Sequence, residues 1–189
     1  MTSSTTPDEL FVWAWLPGAT EPVVAGRLSR QGKSLRFNYG QSYLARDNAC
    51  ALYAPELPLR AGLLPLGAGL AMPSCLRDAS PDAWGRRVII NRLFGAQGIR
   101  QDSAALDEMT YLLASGSNRI GALDFQRSAS EYIPRVSGQA SLEELLASAQ
   151  RVEQGEPLSA ELDLALNHGT SIGGARPKAL LDAAGKQYV

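Results

Sequence analysis

The sequence predicts an α+β fold, an antiparallel β-rich N-terminal part with helices followed by a mixed segment that carries a Gly-rich loop. Three observations predict it. Residues 10–39 hold three runs rich in aromatic and β-branched residues, separated by turn-forming dipeptides. Residues 80–114 place apolar side chains at helical spacing behind capping residues. After residue 116 a strand-like run, a capping box and a Gly-rich stretch follow in order.

Residues 1–9, rich in Ser and Thr, are expected to form a disordered tail. The run 10–16, Leu-Phe-Val-Trp-Ala-Trp-Leu, has the composition of a strand, and Pro17-Gly18 breaks it. A second strand resumes over 22–28, Gln31-Gly32 turns the chain, and 35–39 alternates as a third strand. A short helix is expected over 41–47 and a short strand over 49–53. Residues 54–72 are dense in Pro, Leu and Gly without a clean period, which predicts a packed irregular segment.

Ser80-Pro81-Asp82 offers an N-cap serine, a proline in the first turn and an acid near the positive helix end. Trp84, Val88, Ile89, Arg92 and Leu93 follow at helical spacing, and Gly95 is the stop. A second helix is expected over 104–114, ended by Ser115-Gly116, and a strand over 120–127. Ser141 and Glu144 form a capping box that opens a helix to about Glu153. A further helical stretch near 160–166 leads to a Gly-rich loop at 168–177. A hairpin closes the chain, with strands 178–182 and 187–189.

Bulk properties narrow the function. Eighteen Lys and Arg nearly balance nineteen Asp and Glu, so no global field draws the chain to nucleic acid or an anionic membrane. DNA contact is therefore left to a local patch or to a partner. No apolar run reaches the ~20 residues of a membrane-spanning helix, and the polar N-terminus resembles no signal peptide. These features read as a soluble cytoplasmic protein. Cys50 and Cys75 make no CxxC and have no metal-spaced partners. They are expected to be reduced, small buried thiols rather than a disulfide.

The segment with most chemistry is Gly169-Thr170-Ser171-Ile172-Gly173-Gly174-Ala175-Arg176-Pro177-Lys178. Gly173 and Gly174 allow backbone N–H groups to approach an anion closely. Thr170 and Ser171 supply hydroxyls, and Arg176 and Lys178 supply positive charge. The run fits neither GxxxxGK[ST] nor GxGxxG, so on loop chemistry alone a phosphate cradle and an ordinary turn both stand. His168, the only histidine, reads as a helix C-terminal cap or a phosphate contact. In the run 80–87, Trp84 reads as a core anchor, with Arg86 and Arg87 solvated or forming a docking patch. The run 118–125 reads as a turn into a buried strand. No carboxylate pair or metal set is assembled by spacing.

Taken in order, PDAWGRR (81–87), NRIGALDF (118–125) and GTSIGGARPKALL (169–181) resemble the HipA family of serine/threonine kinase toxins from bacterial toxin–antitoxin modules. The resemblance runs from about Leu10 to the last residue. It implies a HipA N-terminal subdomain over 10–115. Residues 116–189 would then begin a kinase domain, truncated here, of the phosphatidylinositol-kinase-like fold. It also implies that Ser171, Ile172, Gly173, Gly174, Ala175, Arg176 and Lys178 cover the phosphates of ATP, with Mg²⁺ as the metal of the complete kinase. Ser171 matches the loop serine that is autophosphorylated in the family.

By the same resemblance the ATP-contacting lysine falls just after Val189, and the catalytic and metal-binding acids belong to the later lobe. No catalytic and no metal residue is therefore assigned within 1–189, and the chain alone is expected to be inactive. The implied partners are a HipB-like helix-turn-helix antitoxin, which would supply DNA contact indirectly, and a protein substrate such as an aminoacyl-tRNA synthetase. The competing expectation is a non-catalytic module that restrains a separate kinase.

Overall fold

The computed structural model describes residues 7–94, 106–117, 119, 121–135, 142–154, 156, 181–183 and 186–188. The chain divides into two compact units: Met1–Ala79 with Gly121–Ile133, and Ser80–Ile120 with Pro134–Val189.

The first unit is built on a four-stranded antiparallel sheet. Its strands are β1 (Glu9–Ala14), β2 (Val23–Gln31), β3 (Ser34–Tyr39) and β4 (Leu123–Gln126), in the spatial order β3-β2-β1-β4. The meander read from sequence is present, with β2 extended to Gln31. Gly32, at φ 60°, supplies the left-handed residue of the tight turn between the pair Gln31 and Ser34. The register of β1 against β2 shifts between Val12, opposite Gly26, and Trp13, opposite Val24. Ala25 is the extra residue of this bulge, and its carbonyl accepts from Gly40 N at 3.0 Å.

Strand parity puts Leu10, Val12, Ala14, Leu28, Leu35, Phe37, Tyr39 and Phe125 on one face, and all are buried. Tyr43, Leu57, Leu64, Met72 and Leu76 complete that unit's core. Each such large side chain, fully buried, stabilises the fold by about 1.5–3 kcal/mol before entropy is counted. On the opposite face, Trp13 Nε1 donates to Ser128 O at 3.0 Å, and Tyr132 packs against Trp13 and Trp15 at ring separations of 5.3 and 5.6 Å.

The short helix α1 (Gln41–Leu44) forms where a helix was expected over 41–47. The strand expected over 49–53 is absent; Tyr53 makes only an isolated bridge to Leu57. The backbone there is held by tyrosine hydroxyls rather than by a ladder, as described below. The segment 54–72 is irregular, as its composition predicts, and it runs along the β3 edge. Leu64 N donates to Phe37 O, and Leu35 N donates to Ala71 O. These two bonds blunt an otherwise open strand edge. A one-turn helix, α2 (Ser74–Asp78), was not anticipated.

In the second unit, α3 (Ala83–Phe94) and α4 (Glu108–Ala114) follow the predicted helices, and α5 (Leu142–Gln154) follows the expected capping box. Ser141 itself lies outside the described residues. Trp84, Val88 and Val152 form one apolar cluster, while Ile89, Ile90 and Tyr111 form another. Two final strands, β5 (Leu181–Ala183) and β6 (Lys186–Tyr188), pair antiparallel as the expected hairpin, with Leu181 opposite Tyr188.

Candidate functional site

The predicted phosphate loop, Ser171, Ile172, Gly173, Gly174, Ala175, Arg176 and Lys178, lies outside the described residues, as do Thr170 and His168. Of the surrounding sequence, the structure shows the hairpin that follows it. The other two motifs fall largely within the described residues and contribute to two polar clusters, and a third cluster lies elsewhere in the first unit.

The first is at the start of α3. Asp82, not Ser80, caps this helix: its Oδ1 accepts from Gly85 N at 2.8 Å, and its carbonyl accepts from Arg86 N. The Ser80 hydroxyl donates instead to Glu108 Oε2 at 2.8 Å. Arg86, expected to be solvated, is half-buried. Its Nη2 reaches both Glu108 oxygens at 2.7 and 2.8 Å, its Nε donates to Pro81 O, and its guanidinium lies 4.3 Å from the Tyr111 ring centroid. Arg87 is exposed, as expected. Spacing gave no signal for this pairing, because Glu108 sits on a different helix.

The second cluster closes the C-terminal end of α4. Asp107 caps its N-terminus by accepting from Met109 N at 2.9 Å. At the other end Arg119 donates to Leu112 O, Arg92 to Ala114 O and Arg135 to Ser115 O, at 2.7, 2.6 and 3.2 Å. Three cations at the negative end of a helix complement its dipole and its unpaired carbonyls. Arg119 belongs to the NRIGALDF motif, so part of that motif acts as a helix cap. Asp124 of the same motif is buried on β4; it accepts from Phe125 N and from Gln126 Nε2 at 2.8 and 2.9 Å.

The third cluster is in the first unit. The rings of Tyr39 and Tyr43 stack at 5.5 Å. Tyr39 Oη donates to Leu57 O at 2.8 Å and accepts from Leu52 N at 2.9 Å, while Tyr43 Oη donates to Cys50 O at 2.8 Å. Burial pushes both hydroxyls up, that of Tyr43 to about 12. Glu56 accepts from the hydroxyl and the N–H of Ser74, which hold its carboxyl below the usual glutamate value. Cys50 and Cys75 are free, as expected, but partly exposed rather than buried. Burial and the nearby Glu56 charge raise the Cys75 thiol to about 11, so it is a poor nucleophile.

Among the described residues no group of three or more His, Cys, Asp or Glu is placed to hold a metal ion. No described helix is long and apolar enough to cross a membrane. The hydrogen bonds in these clusters tie loops and helix ends to the two units and assemble no acid–base or nucleophilic pair. The described part is an α+β fold whose first unit is built on a four-stranded antiparallel sheet. It belongs to the HipA family: the family model described as the HipA N-terminal domain matches residues 19–126. The matched span ends on the last residue of β4, the strand that completes the sheet. No curated protein matches the chain.

Proposed function

We propose that the chain is the N-terminal part of a HipA-like serine/threonine protein kinase toxin of the cytoplasm, controlled by a HipB-like antitoxin and by phosphorylation of its own loop. The observation that carries this reading is the family match over 19–126, followed in sequence by the Gly-rich run 169–181. In this reading the N-terminal subdomain, expected over 10–115, extends through β4 to the end of the matched span at Gln126, and the residues after it begin the kinase. The backbone of Gly173 and Gly174, with Arg176 and Lys178, would hold the phosphates of Mg·ATP, the phosphoryl donor. A phosphate on Ser171 adds a charge of about −1.5 to −2 and repels those phosphates from the same loop. The antitoxin would provide DNA contact, in keeping with the chain's near-neutral charge, and the substrate would be a protein such as an aminoacyl-tRNA synthetase.

Phosphoryl transfer needs positioned acids and metal as well as a phosphate loop, and residues 1–189 hold no motif matching the family's catalytic acids. The chain alone is therefore inactive in this reading. Phosphopeptide mapping of the protein recovered from its own cells tests the regulatory part, with phosphate expected on Ser171. Purified 1–189 given Mg·ATP should take up no label; self-labelling would overturn the division of labour, and an unmodified Ser171 in an active parent would overturn the control. A second reading, a non-catalytic module that restrains a separate kinase, draws on the compactness of the unit formed by Met1–Ala79 and Gly121–Ile133. The reading frame after Val189 separates the two. Continuation into kinase motifs favours the first reading, and a stop followed by a separate kinase frame favours the second.

A further inference from the structure

We draw no further inference here: the strongest candidate, the cluster of Arg92, Arg119 and Arg135 on the last carbonyls of α4, spends donors on Ala114, Leu112 and Ser115 and on further partners within the fold, so nothing in the structure points to an external anion.

Discussion

Arg86 Nη2 donates to both carboxylate oxygens of Glu108, at 2.7 and 2.8 Å, and so joins the start of α3 to the start of α4. The two side chains are 20% and 34% exposed, against 47% each for the surface pair Arg27 and Glu9. Less water between the first pair means less screening, and the removal of one partner strands a half-buried charge. Arg86→Ala and Glu108→Ala should each cost about 1.5–3 kcal/mol of unfolding free energy, and Arg27→Ala no more than about 0.5. Arg86→Lys should fall between them, because it keeps the charge but loses the planar fork and the favoured stacking on Tyr111. Urea denaturation measures all four; equal losses for the half-buried and surface pairs would contradict the ranking.

Gly26 of β2 lies against the backbone of Asn38 and the ring of Phe37 on β3. A Cβ there would meet the carbonyl oxygen of Asn38 and come within 2.6 Å of Phe37 Cζ. The Phe37 ring is fully buried and is wedged edge-on against Tyr39 at 4.9 Å, so it has little room to retreat. Gly26→Ala should therefore destabilise the chain by about 1–3 kcal/mol or more, although alanine normally favours an extended backbone over glycine. A thermal melt decides it: an unchanged or raised midpoint would show that the sheet relaxes around the methyl group.

What could be read from the sequence was what local chemistry dictates. The alternation at Leu35, Phe37 and Tyr39 gave β3, and Gly32 gave its turn. The helical spacing from Trp84 to Leu93 gave α3. The sequence did not reveal pairings between distant residues. The helix-capping group is Asp82, two residues after the serine that looked best suited, and Ser80 bonds to Glu108 instead. The run 49–53 has strand composition, yet Tyr39 Oη, from β3, takes its Leu52 N–H and leaves no ladder for it. Arg119 looked like part of a turn, and its bond to Leu112 O exists only in the folded unit. The candidate loop around Ser171 lies outside the described residues and rests on glycine and hydroxyl content and the family pattern alone.

Glu56 makes acid stability testable. Its carboxyl is held below the ordinary value of 4.5, first by the Ser74 hydroxyl and then by the Ser74 N–H. As pH falls, the unfolded chain takes up this proton before the folded chain does. The stabilisation is therefore complete above the ordinary value and is lost as pH drops through the lower folded value. Glu56→Gln should narrow its melting-temperature deficit relative to the parent between about pH 6 and about pH 3. A deficit that stays constant over that range would mean that the charge on Glu56 contributes nothing.

The sheet of the first unit is completed by residues far along the chain, and that dependence can be measured. β4 pairs with β1 from Phe11 opposite Gln126 to Ala14 opposite Leu123, and it brings the fully buried Phe125. The segment after it covers Trp13 through the Ser128 carbonyl and the Tyr132 ring. A chain cut back to 1–117 would lose all of this and open β1 as a bare edge beside an uncovered tryptophan. Against a chain cut back to 1–135, it should show much faster hydrogen exchange at the β1 amides, a red-shifted Trp emission and a tendency to aggregate. Both shortened chains lack α5; the shorter one also loses the Arg119 and Arg135 bonds to α4, so the readout is taken at β1, which those bonds do not touch. Equal protection of β1 in the two would mean that the three-stranded meander is stable by itself and that β4 is an accessory.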